Sequence, residues 1–237
     1  MSEQPDPKEQ PDPKEQSALP ESLPIFPLNG VLLLPRGRLP LNIFEPRYLA
    51  MTRDALGGER LIGMVQPNEP QQDNRGGGAM NPPVYPVGCA GRITSFSETD
   101  DGRYLVTLTG VSRFRIRDEL PLLSGYRRIL AEWQPFAHDV ETPSGTEFDR
   151  DRFIRGLKGF FTQRQISADW EAIEKAAGEH LINSIAMLCP FAPSEKQALL
   201  EAPDLDERAR LLIALVEMAA VNPNQGFSSE ESGGTRH

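Results

Sequence analysis

Within the run Ile43-Phe44-Glu45-Pro46-Arg47-Tyr48 the chain sets a carboxylate, a guanidinium and a phenol beside two large apolar side chains, its densest mixture of charge and aromatic character before the second half. That combination suits holding a ligand more than converting one, because rings supply apolar area and charges orient what lies on it. Ile43, Phe44, Glu45, Arg47 and Tyr48 are therefore candidate peptide-binding residues. The same stretch also reads as a helix start, with Glu45 at the positive end of the helix dipole. That reading accounts for Glu45 but gives Arg47 and Tyr48 no task. A second candidate is a basic strand face. Arg113, Arg115 and Arg117 recur at period two, with Phe114 and Ile116 between them, and could track a phosphate backbone or an acidic peptide. The plainer alternative is a solvated face paired with carboxylates.

Groups for covalent or metal chemistry are sparse. His138, His180 and His237 are the only histidines, and no Ser or Cys can be argued into reach of one as a nucleophile. His180 beside Ala177 and Leu181 reads as a packing residue at a helix edge. Outside the first residues the lysines are Lys158, Lys175 and Lys196, all expected on helix surfaces, whereas a Ser–Lys hydrolytic pair needs a buried lysine of lowered pKa. Cys89 and Cys189 lie a hundred positions apart without a second ligand nearby, so two buried free thiols are expected and neither zinc nor a disulfide. Cys189-Pro190 matches the short Cys-Pro motif of haem-responsive proteins, but a helix ending before Pro190 accounts for it. No phosphate loop, GxGxxG, HExxH or GxSxG is present, and Gly76-Gly77-Gly78 has no helix after it to receive an anion. The expectation is no catalytic residue, no metal and no cofactor.

Between about Leu23 and Phe136 the punctuation is that of strands. Val31 to Leu34, closed by Pro35, is a short apolar run; Leu39, Leu41 and Ile43 alternate with Pro40, Asn42 and Phe44; Leu61 to Val65 is another run. Asp101-Gly102 marks a hairpin, Gly110 a bulge or bend, and Tyr126 to Trp133 a last strand. One helix is expected among them, from Pro46 to the stop at Gly57-Gly58. Six or more short strands in one block predict a closed or nearly closed sheet. From Thr146 the period becomes helical. Phe153, Leu157, Phe160 and Phe161 form one stripe; Trp170, Ile173, Ala177, Leu181, Ser184, Ile185 and Leu188 a second; Leu205, Ala209, Leu212, Val216 and Ala219 a third. Ser194 with Gln197, and Asp204 with Glu207, have capping-box spacing.

The chain of 237 residues carries 34 Asp+Glu against 25 Lys+Arg, a formal net charge of −9. An acidic balance without a clustered basic face argues against a nucleic-acid backbone as partner. Part of the charge sits in residues 1–22, where the tandem hexapeptide Glu-Gln-Pro-Asp-Pro-Lys predicts an extended, disordered Pro-rich acidic tail. Residues 224–237 read as a second tail. No apolar stretch approaches the ~20 residues that span a bilayer, and the N-terminus lacks a signal-peptide pattern, so cytoplasm is the expected location.

Several stretches carry a likeness to a known family. Leu23-Pro24-Ile25-Phe26-Pro27-Leu28, Leu39-Pro40-Leu41-Asn42-Ile43-Phe44-Glu45-Pro46-Arg47-Tyr48, Asp101-Gly102-Arg103 and Leu108 to Ile116, followed by Pro190-Phe191 and Glu195 to Glu201, resemble the N-terminal substrate-binding domain of Lon protease. The resemblance runs over about Leu23 to Val221. It implies an α+β fold, a PUA-like pseudo-β-barrel over 23–138 followed by a C-terminal helical bundle over 146–223. It also implies a binding role without catalysis, in a stand-alone form lacking ATPase and protease modules. The partners it implies are unfolded polypeptide clients or a separate protease; physically, sheet edges and an apolar groove near Ile43-Phe44 and Tyr48 would pair with an extended client, with the Pro67 to Pro86 segment folding over it. An RNA-binding PUA-like module using Arg113, Arg115 and Arg117 is the alternative.

Overall fold

A computed structural model of the chain describes residues 19–68, 82–141, 145 and 147–221. Strand β1 (Ser22–Pro27) lies between β3 (Leu61–Val65), to which it is parallel, and β6 (Tyr126–Glu132), to which it is antiparallel. β3 pairs with β4 (Val87–Glu98) and β4 with β5 (Tyr104–Leu123), whose far half returns to β6. These five strands therefore close a ring, while β2 (Arg38–Ile43) lies outside it on the first half of β5. The length of β5, 20 residues, lets one strand serve two partners in succession. Gly102 in the β4–β5 turn and Ser124-Gly125 in the β5–β6 turn take the positive φ that tight hairpins require.

Leu23 and Ile25 of β1, Leu61 and Val65 of β3, Ala90, Phe114, Ile129 and Ala131 form one buried cluster to which every strand of the ring contributes, so it is the barrel interior. The opposite faces of β3 and β4, with Ile62, Met64, Val87 and Cys89, belong to a second cluster outside the ring. That cluster continues through helix α1 (Pro46–Leu56) and Leu32, Leu33 and Leu34 into the helical half. β3 is buried on both faces, which is why it reads as an apolar run without alternation.

The bulge expected at Gly110 is present. Ala90 lies opposite Ser112 and Gly91 opposite Gly110, leaving Val111 as the extra residue. The peptide Leu34-Pro35 crosses the strand here so closely that a Cβ on Gly110 would stand 2.0 Å from the Leu34 carbonyl oxygen. Before the bulge, Tyr104, Val106 and Leu108 face the second cluster; after it, Phe114 points into the barrel. Arg113 accordingly turns toward the helical half, while Arg115 and Arg117 further along stay in solvent.

In that half, α2 (Arg150–Arg164) starts at an Asp149 cap and packs along α6 (Leu205–Val221). The stripe from Trp170 to Leu188 is not one helix. Extended backbone at Ala176 and Ala177 divides α3 (Trp170–Lys175) from α4 (Gly178–Leu188). Leu188, expected on the inward stripe, is exposed. Helix α5 (Pro193–Glu201) starts two residues before the Ser194 expectation: Glu195 accepts from the Ala192 amide at 2.7 Å, and Gln197 is buried against the barrel instead of capping. The Asp204 cap holds, accepting from the Glu207 amide at 2.8 Å. Lys196, expected on a helix surface, is buried and donates to the Gly30 carbonyl at 2.8 Å.

The expected loop 67–86 lies outside the described residues at 69–81, and its ends meet in a bridge between Pro67 and Val84. The expected tails lie outside them at 1–18 and 222–237. Glu21 already belongs to the sheet, its carbonyl accepting from the Ala131 amide at 2.8 Å.

Candidate functional site

The Ile43 to Tyr48 stretch divides between core and surface. Ile43 ends β2 facing inward and is buried opposite Tyr104. Tyr48, in the first turn of α1, stacks on Phe26 with ring centroids 4.1 Å apart, and burial raises its phenol pKa above the ordinary value. Neither side chain is available to a partner. Phe44 is: it lies just past β2 and is 61% exposed. The Arg103 guanidinium stands 6.0 Å from its ring centroid. Leu105, opposite Asn42 on the outward face of β2 and β5, is 47% exposed. Phe96 is also exposed and packs edge-on against Tyr104 at 5.0 Å. Glu45 is not a side-chain cap; its carboxylate accepts from Arg47 at 3.0 Å, and the Arg47 guanidinium lies 4.5 Å over the Tyr48 ring. The unit that emerges is an outward sheet face with Phe44 and Leu105 as apolar posts and Arg103 beside them. The charges beside it singled out Phe44 in the sequence; Leu105 was hidden because alternation makes it look like any outward strand residue.

The three strand arginines do not form one face. Arg113 is 1% exposed. Its guanidinium is held bidentately by Asp139 at 2.8 Å and also donates to the carbonyls of Leu200, Ala202 and Pro203. The cause is the Val111 bulge, which turns this position toward the helical half, and the α5–α6 link, which then covers it. Arg115 and Arg117 remain exposed, Arg117 paired with Glu21 at 2.7 Å. Burial would push the Asp139 carboxyl up, but hydrogen bonds and charge from Arg113 outweigh it and hold it below the usual carboxylate range. Arg208 is buried nearby, donating to the Leu199 carbonyl at 2.9 Å, and burial with the neighbouring Arg113 charge lowers its pKa to about 10.

Of the other groups weighed for chemistry, His180 is exposed, Lys158 and Lys175 are exposed and paired with Glu174 and Glu171, and His237 and Gly76-Gly77-Gly78 lie outside the described residues. Cys89 and Cys189 are buried, with Cys189 pushed up to about 12 by desolvation, the reverse of what a nucleophile needs. Among the described residues no three His, Cys, Asp or Glu side chains gather where they could hold a metal ion, and no helix is long and apolar enough to cross a membrane. His180 lines an apolar groove of about 440 Å³ between the end of α2, α3 and α4, with Leu188 at 80% exposure on its wall. This groove escaped the sequence reading because the stripe that forms it looks like one continuous helix.

Comparison with known proteins gives a consistent result. Residues 22–218 match the family model described as the ATP-dependent protease La (LON) substrate-binding domain. The chain is 29% identical over 201 residues to Lon protease 2 of Sorangium cellulosum, covering 83% of this chain and 24% of that one. It is 26% identical over 202 residues to Lon protease 2 of Myxococcus xanthus, covering 84% and 24%. The chain thus spans about a quarter of the length of these curated relatives. Among solved structures, a Lon N-terminal domain protein from Xanthomonas campestris superposes with a TM-score of 0.56 at 23% identity, covering 81% of this chain and 97% of that one. The N-terminal domain of the Mycobacterium avium complex Lon protease gives 0.54 at 16% identity, covering 82% and 97%.

Proposed function

Because the chain belongs to the ATP-dependent protease La (LON) substrate-binding domain family, we propose that it holds exposed apolar segments of unfolded polypeptide, as a recognition or adaptor element, and does no covalent chemistry on them. The observation that carries this reading is Phe44, 61% exposed just past the end of β2, with Leu105 exposed opposite Asn42 on the adjoining sheet face. Each such side chain covered by a client adds on the order of 1.5–3 kcal/mol, enough for weak, reversible capture when two or three act together. Recognition runs through side chains more than through an added strand, since the outer edge of β2 carries Pro40, which lacks an amide donor. The burial of Arg113 takes one of the three arginines out of the basic face on which RNA binding would rest, leaving Arg115 and Arg117, the latter already paired with Glu21, so that reading loses support.

Fluorescence anisotropy of a labelled, permanently unfolded apolar polypeptide against the full chain tests the proposal. Phe44→Ser with Leu105→Ser should weaken binding by about tenfold or more while leaving the circular dichroism spectrum unchanged. Equal affinity in the double variant defeats the assignment. Casein incubated with the chain, ATP and Mg²⁺ should stay intact.

A further inference from the structure

The groove of the helical half is a second site of different chemistry. Its walls are Phe161 of α2, Ile166 just after it, Ile173 of α3, and Leu181, Ile185 and Leu188 of α4; the polar side chains reaching it are Ser167, His180 and Ser184. No Asp, Glu, Lys or Arg lines it. The carboxylates of α3 and α4 are already paired within the chain: Glu171 with Lys175, Glu174 with Lys158 at 3.0 Å, and Glu179 with Arg36. A charged side chain entering this groove would lose its hydration and meet no partner. At about 440 Å³ it falls within the range of built ligand sites, about 300–1,000 Å³.

Its walls also decide the backbone of the occupant. An extended segment brings unpaired amides and carbonyls, and here they would face helices whose own backbone bonds are internal and link residues whose groups are largely taken, the Ile166 and Cys189 amides by the Phe161 and Ile185 carbonyls and the Ala176 carbonyl by Arg150, with no strand edge to receive them. A helix arrives with its backbone satisfied and presents side chains at i, i+3/i+4 and i+7. The net charge of this chain, −9, favours approach of a segment whose other face is basic. We propose that the α3–α4 groove docks the apolar stripe of an amphipathic helix, uncharged on the docked face and basic on the opposite one. This rests on the reading that the chain captures polypeptide, and it assigns folded helices to one surface while extended segments go to the Phe44 face.

The probe is a labelled Leu/Lys peptide of about five helical turns with leucines at i, i+3/i+4 and i+7, set against a scrambled peptide of identical composition. The full chain should bind the periodic peptide at least about tenfold more tightly than the scrambled one. Leu188→Asp and, separately, Ala172→Asp, both at exposed positions that leave the core intact, should each remove that preference. Phe44→Ser with Leu105→Ser should preserve it. Equal binding of the two peptides, or a preference that survives both groove variants, overturns the inference. If the unfolded polypeptide still binds in that case, the groove assignment falls and the Phe44 reading stands; if neither ligand binds, both fall.

Discussion

Arg113 shows how much one side chain can be asked to do when it is buried. It neutralises Asp139, and it satisfies three carbonyls where α5 ends and the chain turns toward α6. Removing one member of a buried ion pair typically costs about 3–5 kcal/mol, so Arg113→Met should lower the unfolding free energy by that order in urea titration. Replacing both members with apolar residues often restores stability, but here Arg113→Met with Asp139→Leu would still orphan the carbonyls of Leu200, Ala202 and Pro203, at about 1–3 kcal/mol each if they stay dry. The double variant should therefore remain well below the native chain; full rescue would mean the carbonyl bonds are dispensable. The pair also sets a pH dependence. Since the folded chain holds the Asp139 carboxyl below its unfolded value, near 3.9, its contribution is complete above that value and is lost as pH falls through the lower, folded one. Urea midpoints measured from about pH 5 downward should fall less steeply for Asp139→Asn than for the native chain.

At the scale of elements, the β5 bulge decides what the strand arginines meet. The alternation of Arg113, Arg115 and Arg117 with Phe114 and Ile116 was legible, and so were the Pro46 start, the Gly57 stop and the Asp101-Gly102 hairpin, because each is a local preference of backbone or period. Which β5 face becomes covered was not legible, since that depends on an extra residue at Val111 and on a helical half that closes over it from far along the chain. The break between α3 and α4 was missed for another reason: the apolar period carries straight through Ala176-Ala177, and it outweighed the one local signal, Gly178. The candidate site shared this division, with Phe44 visible as an apolar residue beside charges and Tyr48 and Ile43 indistinguishable from it until the core was placed. Two glycines test the importance of the bulge. Gly110→Ala would drive a methyl into the Leu34 carbonyl and should cost about 3 kcal/mol or more. Gly102→Ala meets nothing within 4 Å and bears only the left-handed φ of +79°, about 1–2 kcal/mol. Guanidinium midpoints that rank the two the other way would move the constraint from the Leu34 crossing to the hairpin.

For the whole molecule, the change from strands to helices does not divide the core. The cluster outside the ring runs from Ile43, Tyr48 and Cys89 through Leu33 to Phe153, Phe160 and Leu212. Polar contacts cross the same boundary: Gln197 donates to the Val87 carbonyl at 3.1 Å, Gln66 to the Pro193 carbonyl at 3.0 Å, and Asn183 to the Pro35 carbonyl at 3.3 Å. Halves joined this way should unfold together, which also fixes the Phe44 face and the α3–α4 groove in one frame, so that a client engaging one surface meets the other at a set distance. Phe160 lies deep in the helical half, stacked on Phe191 at 5.7 Å and far in sequence from every strand. Phe160→Ala should cost about 3–5 kcal/mol and lower a single calorimetric transition by roughly 10 °C, with van't Hoff and calorimetric enthalpies still equal. Hydrogen exchange should then quicken in β1, β3 and β6 as much as in α2 and α6, because the opening that exposes them is the same global event. Barrel strands that keep their native protection while α2 and α6 lose theirs would show two independent units, and the fixed relation between the two proposed surfaces would go with them.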